Sequence, residues 1–343
     1  MELPELDVIF LQAGTLTIWE EVLQLTGQGL ALGAIYALIA LGFVIIYKAT
    51  EVINFAHGAL MLIGAFVTYT FAAGKFPTIG GTADFPEGLQ WWVELPIVWR
   101  YTGAVIIATT LVALLGMLTE RVVLRPMIGQ PVFAVVLITL GVELVYSTGV
   151  QVVWGPQQLP SPAPFPPTSF VKLGNISIQW GSIWTVIVMI VVVLAFFAFF
   201  RYSKFGLAMR ATSFDQEAAM AMGIKPATVF GLSWAIGGAL AAIAGALYVP
   251  TRLAGFLTIG PVRFSALSAF PAAILGGLDS PGGAVIGGLT IGVAQVLSSR
   301  YLNPFFLEIN FPNFHLVFPY ILMIAVLLVR PYGLFGTGEV RRV

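Results

Sequence analysis

From Val22 to Tyr47 the chain carries no charged residue, and most positions are Leu, Ile, Val, Phe, Ala or Gly. A helix of about 20 apolar residues covers the hydrocarbon layer of a bilayer. A run this long has no polar face to show to water, so it does not suit the surface of a soluble domain. A second apolar stretch, 53–73, follows after a short hinge and opens with the polar cluster Asn54-Phe55-Ala56-His57-Gly58. Polar groups sit here where a lipid-facing helix excludes them. A span joined to a polar break points to a transport path rather than an anchor.

Composition agrees. Hydrophobic residues make up 58% and charged residues 9%, against about 25% charged in soluble domains. Most of the surface must therefore face lipid, and the 37 glycines suit close helix packing there. The formal net charge is zero, which gives no electrostatic footprint for nucleic acid. With no cysteine, disulfides and thiolate metal sites are excluded, and two histidines make a poor structural metal site. GxxxxGK[ST], HExxH and GxSxG are absent, so the chain reads as no enzyme, and any ATP must be hydrolysed by another chain. The opening MELPELD is acidic and lacks a small-residue cleavage site, so no cleavable signal peptide is expected.

The apolar pattern predicts an all-α, polytopic transmembrane bundle forming one domain over 1–343, with about nine spans (eight to ten). They lie near 22–47, 53–73, 98–119, 131–153, 180–200, 227–249, 263–278, 281–299 and 314–329. Lys and Arg concentrate in cytoplasmic loops of membrane proteins. Basic residues cluster at 120–130, at 201–226 and in the tail, with Arg330, Arg341 and Arg342. The expected N-terminal segment 1–21 is acidic. Nine spans with the N-terminus outside and the C-terminus inside make all three basic clusters cytoplasmic, provided 263–278 is a full but broken crossing. Spans one and two resemble spans six and seven weakly. Four spans, one linker span and four more would form an inverted repeat with broken helices, a plan in which the substrate path lies between the halves.

Several residues are candidates for that path. Asn54 and His57, beside Gly58, either line it or form a helix cap with a buried, satisfied histidine. Glu143 lies mid-span in Ile138-Thr139-Leu140-Gly141-Val142-Glu143-Leu144-Val145. An ionisable group there costs about 2.5 kcal/mol or more to insert, and it either lines the path or bonds to another helix. Gln28, Gln295, Ser298 and Ser299 are weaker candidates. Gly29/Gly33, Gly283/Gly287 and Gly288/Gly292 fit helix contact, while Gly276-Gly277, followed by Asp279 and Pro281, marks a break beside the path. In 201–226, which carries Arg210, Asp215 caps a two-turn helix through Glu217, Ala218 and Ala219, and Gly223 stops it. This segment reads as a docking surface or as a plain solvated loop.

Together these pieces resemble a family, the membrane permease subunits of bacterial branched-chain amino acid ABC importers. The resemblance rests on Gly33-Ala34-Ile35-Tyr36-Ala37-Leu38-Ile39-Ala40, Ile53-Asn54-Phe55-Ala56-His57-Gly58, Glu120-Arg121 with Arg125-Pro126, and Arg201-Tyr202-Ser203-Lys204-Phe205-Gly206. It continues in Ala273-Ile274-Leu275-Gly276-Gly277 with Pro281-Gly282-Gly283-Ala284, and in Arg330-Pro331-Tyr332-Gly333-Leu334-Phe335-Gly336. The resemblance implies a bacterial inner-membrane location and alternating access. It implies a second homologous permease subunit, two ATPase subunits and a periplasmic binding protein as partners, beside the lipid bilayer. ATP and Mg would then sit on the ATPase, with no cofactor in this chain. Glu217-Ala218-Ala219 with Gly223 matches the start of the EAA-xxx-G element by which such permeases dock the ATPase. Ala59 and Glu143 depart from the residues common in the family, which keeps urea or short amides as an alternative cargo. A stand-alone secondary transporter is a second alternative.

Overall fold

The computed structural model describes residues 17–127 and 129–336. The expected acidic positions Glu2, Glu5 and Asp7 and the basic positions Arg341 and Arg342 lie outside the described residues. Helix α1, Ile18–Thr50, opens on a capping box. The Thr17 hydroxyl accepts from the Glu20 amide at 3.4 Å, and the Glu20 carboxylate accepts from the Thr17 amide at 2.8 Å. Residues 18–21 are therefore the first turn of a helix and not part of a separate N-terminal segment. At 1.5 Å per residue α1 is about 50 Å long, well beyond the hydrocarbon thickness.

The chain continues through α2 (His57–Ala73), α3 (Ile97–Thr119), α4 (Val132–Trp154), α5 (Trp180–Tyr202), α6 (Lys204–Phe214) and α7 (Gln216–Ala221). It closes with α8 (Pro226–Arg252), α9 (Ile259–Gly276), α10 (Pro281–Tyr301), α11 (Asn303–Glu308) and α12 (Phe314–Val329). Every expected span is a helix. Seven of them, α1, α3, α4, α5, α8, α9 and α10, are long and apolar enough to cross a membrane, while α2 and α12 have only 17 and 16 residues. The loops hold more structure than expected. Lys75–Thr78 pairs with Gly81–Asp84, and Phe170–Leu173 with Ile176–Gln179, as antiparallel ribbons. Leu159–Pro160 pairs with Phe256–Leu257, which ties the 154–179 loop to the break between α8 and α9.

The packing repeats. Helix α1 lies on α10 as α8 lies on α3, and α2 lies on α3 as α9 lies on α10. Helix α4 touches α2 as α12 touches α9, and the consecutive pairs α1–α2 and α8–α9 barely meet. This is the expected four-helix unit used twice, with α5 as the linker. One extra apolar helix, α5, stands between the two copies.

Small residues allow this closeness. A Cβ on Gly29 would lie 2.7 Å from the Val293 Cα, and one on Gly33 would lie 2.7 Å from the Leu289 Cα. Backbones this near leave no room for side chains, which is how helices associate where lipid removes the hydrophobic drive. The Gly283 and Gly287 pair meets α9 in the same way, at Gly276 and Ala272. Some charged residues at helix ends tie neighbouring elements together. Arg125 Nη2 donates to Glu120 Oε2 at 2.9 Å and to the Ala227 carbonyl at 3.1 Å, which ties the end of α3 to the start of α8. Lys48 Nζ donates to the Asp279 carbonyl at 2.8 Å. Arg300 pairs with Glu21 and Asn175 Nδ2 donates to Glu20, joining helix ends at the opposite side.

Candidate permeation site

The break between α1 and α2 begins at Glu51, whose φ of 56° turns the chain out of the helix. Asn54 Oδ1 accepts from the Ala56 amide at 3.0 Å, a turn closed by the side chain itself. It does not cap α2. The residue before that helix is Ala56, which supplies no side-chain cap. The cap alternative for Asn54 is thus replaced by a turn that holds the break open.

His57 is the first residue of α2 and is fully buried. Its ring lies 4.5 Å from that of Phe43, and a Cβ on Gly42 would stand 2.7 Å from its Nε2, so the ring occupies the notch which Gly42 leaves in α1. Neither ring nitrogen has a hydrogen-bond partner among the described residues, nor does Asn54 Nδ2. Asn54 is 1% exposed. Each such orphaned group costs about 1–3 kcal/mol. Three of them within four residues mark a place left unsatisfied by the fold. The alternative of a satisfied core histidine is not what the structure contains.

Helix α4 supports the break. Thr139 Oγ1 donates to the Val136 carbonyl at 2.8 Å and accepts from the Phe55 amide at 3.3 Å. Glu143 lies one turn further along the same face. Its two carboxylate oxygens receive Nε and Nη2 of Arg263, the second at 2.8 Å. Arg263 stands in the second turn of α9, so this fork joins the two repeats. The α2 start meets the same turn, since a Cβ on Gly58 would fall 2.9 Å from the Arg263 carbonyl oxygen. Phe270 of α9 completes the cluster, 5.7 Å from Phe43 and 6.0 Å from Phe55 between ring centres.

Asn54, His57, Gly58 and Glu143 thus come together around one junction. Gly276 and Gly277 do not. They lie at the far end of α9, thirteen residues or about 20 Å from Arg263. There the Leu334 amide donates to the Leu275 carbonyl at 2.8 Å and the Phe335 amide to that of Gly276 at 3.1 Å. Gly277 takes a φ of 106° directly under Gly336, a packing constraint. Gln295 also has a structural partner, accepting from the Tyr36 hydroxyl at 2.9 Å. Sequence reasoning missed Arg263 and Thr139. A second lone charge of opposite sign within an apolar stretch was the available signal for Arg263.

The segment 201–226 is two helices, α6 and α7, rather than one short helix in a loop. Asp215 Oδ1 accepts from the Ala218 amide at 2.9 Å as the α7 cap. Gly223 ends the helix at a φ of 83°, and the Ile224 amide returns to the Ala219 carbonyl at 3.0 Å. Glu217 and Ala218 are exposed and Ala219 is buried against the chain itself. Arg210 donates to the Phe200 carbonyl and lies over the Phe200 ring, which braces α6 on the end of α5. Phe214 and Met222 are 94% and 84% exposed.

Two four-helix units, with a break beside buried polar groups between them, are the frame for the comparison with known proteins. The family described as the branched-chain amino acid transport system permease component matches residues 25–327. The chain belongs to that family. The high-affinity branched-chain amino acid transport system permease protein LivH of Salmonella typhimurium LT2 is 33% identical, over 94% of this chain and 97% of its own. LivH of Escherichia coli K12 is 32% identical over the same shares. BraD of Pseudomonas aeruginosa PAO1 is 29% identical over 94% of this chain and 98% of its own. No solved structure matches significantly. The family match includes every residue of the junction and all of α6 and α7. The chain is therefore a multi-pass permease of the inner-membrane transport class, and its relatives are transport proteins rather than enzymes.

Proposed function

We propose that this permease is the membrane subunit of an ATP-driven importer carrying a branched-chain or related aliphatic amino acid inward. The observation behind the reading is the trio of orphaned polar atoms on Asn54 and His57, buried at a helix break between two repeats. Such a break is tolerated at membrane depth where it lines a path for substrate or water. The path runs past Asn54, His57, Gly58 and Glu143. Energy comes from outside the chain. ATP and Mg are held by two ATPase subunits, which dock on α6 and α7 through Arg210, Asp215, Glu217, Ala218 and Gly223, with Ala219 anchoring α7 from beneath. A second homologous permease completes the path, and a periplasmic binding protein delivers cargo.

In this arrangement the end bearing Lys48, Arg121, Arg125, Lys204, Arg210, Lys225 and Arg330 faces the cytoplasm, as the basic-loop rule requires. A urea or short-amide cargo is the second reading. A proton-coupled carrier is disfavoured, because both oxygens of Glu143 are engaged by Arg263. The test is uptake of labelled L-leucine in cells stripped of their own importers and expressing the chain with its partner subunits. Asn54→Leu and His57→Leu should lower uptake about tenfold or more while assembly persists. Wild-type rates in both variants, correctly assembled, would refute the path.

A further inference from the structure

The Glu143–Arg263 pair is an unusual element for the middle of an apolar bundle. Glu143 is the twelfth of 23 residues in α4, so the pair lies at the centre of that helix. Its Glu side chain is 13% exposed and its Arg side chain 33% exposed. The fork is therefore sheltered, with the guanidinium partly open to one side. It is also the one ion pair described between the two repeats at this depth, since Arg125–Glu120 and Arg300–Glu21 lie at helix ends. Next to it stand the Gly58 contact, the Phe43–Phe55–Phe270 cluster and the orphaned atoms of His57 and Asn54.

We infer that Glu143 and Arg263 form the recognition site for the charged head group of a zwitterionic amino acid, and so determine cargo class. The inference rests on the transport reading above. Separating a sheltered ion pair leaves two uncompensated charges, which is strongly unfavourable. A zwitterion avoids this by exchange. Its carboxylate takes the planar fork of Arg263, where it replaces the Glu143 carboxylate with the same bidentate geometry. Its ammonium takes the released oxygens of Glu143. No charge is left alone at any stage, and no net charge enters the bundle. An uncharged amide cannot replace either partner, so for it the fork between α4 and α9 stays shut. A carboxylic acid without an amine would satisfy Arg263 and strand Glu143. The aliphatic tail then lies toward Phe55, whose amide is held by Thr139 one turn from Glu143 on α4.

The experiment is ligand-dependent thermal stability of the purified full-length chain in lipid nanodiscs, with L-leucine, isovaleramide and 4-methylpentanoate as probes. In the wild type L-leucine should raise the melting temperature, and the amide and the acid should not. Glu143→Gln and Arg263→Gln should each abolish the L-leucine shift. The reversed pair Glu143→Arg with Arg263→Glu restores charge balance and guards against misfolding. It should melt near the wild type yet respond to L-leucine at least about tenfold more weakly, because head and tail are then inverted. A wild type equally stabilised by isovaleramide, or a folded Gln variant that keeps the L-leucine shift, would overturn the assignment. Failure of the transport reading is distinguishable, since cells stripped of their own importers and expressing the unaltered chain with its partner subunits would then not take up L-leucine at all.

Discussion

Gly58 offers a quantitative test of the junction. Replacing it with Ala puts a Cβ 2.9 Å from the Arg263 carbonyl oxygen and 3.3 Å from the Ala266 Cβ. The nearer neighbour is backbone and cannot rotate away. Helices α2 and α9 must part by about half an ångström, which forfeits about a quarter of the attraction of each contacting pair. Overpacking of this kind destabilises by about 1–3 kcal/mol. The better helix propensity of Ala offsets about 1 kcal/mol, so the net effect is between about zero and 2 kcal/mol of lost stability. Gly149 on α4 is the control, since its Cβ would meet nothing within 4 Å. Gly149→Ala should therefore gain stability where Gly58→Ala does not. The displaced atom also belongs to Arg263, whose fork must meet Glu143 on an unmoved α4. Uptake should accordingly fall in Gly58→Ala by up to about tenfold, the equivalent of about 1.4 kcal/mol. Melting curves in nanodiscs and L-leucine uptake decide the matter. If Gly58→Ala is as stabilising as Gly149→Ala and transports at the wild-type rate, the close approach of α2 to α9 has no functional weight.

Ala218→Glu on the exposed face of α7 should weaken ATPase association, and a loss of about 2 kcal/mol would lower it about thirtyfold in co-purification. Ala219→Glu instead places a charge in a buried position and should reduce the amount of folded permease, which separates docking from folding on adjacent residues. Gly223→Val forces a β-branched residue to a φ of 83°; the strain of about 1–2 kcal/mol should fray the end of α7 and show as faster amide exchange there. Protease added to spheroplasts should cut within 156–170 and spare a tag placed after Val343, and the opposite pattern would reverse the orientation.

What the sequence revealed was set by chain-local physics. Nine helices were legible because crossing a bilayer demands length, and their ends were marked by Gly, Pro and charge. The cap at Asp215 and the stop at Gly223 were legible because a cap acts within three or four residues. Glu143 was visible as an anomaly, but its meaning was not. Its partner stands 120 residues away on α9, and only the fold brings the two together. Asn54 shows the same limit at short range, since an Asx turn and an N-cap use the same side chain and differ only in which amide it reaches. Gly276 and Gly277 were placed beside the path because a glycine break in a span can line a cavity or admit a neighbour. Here the backbone of 333–336 fills the space. The ribbons escaped notice because two- to four-residue strands carry too little alternation to register.

The two breaks of the repeat differ in how they are held. The break after α8 is bound by backbone. Leu159–Pro160 ladders with Phe256–Leu257, the Ser161 amide donates to the Gly255 carbonyl at 2.6 Å, and the Gly255 amide returns to the Val249 carbonyl at 3.2 Å. The break after α1 is bound across to a neighbouring helix by one bond, from the Phe55 amide to Thr139 at 3.3 Å. Releasing that bond costs about 1 kcal/mol, whereas releasing the ladder means losing several bonds together. The first break also contains the orphaned atoms, so any partner that satisfies them offsets its opening, at about 1–3 kcal/mol for each group. Rearrangement between the halves is therefore least costly at 51–57, on the same face of α4 that holds Arg263. A Thr139→Val change removes that single bond and keeps the side-chain volume. It should leave the helices assembled while raising amide exchange at Phe55 well above that at Phe256. Equal exchange at the two positions would show that both breaks are bound alike.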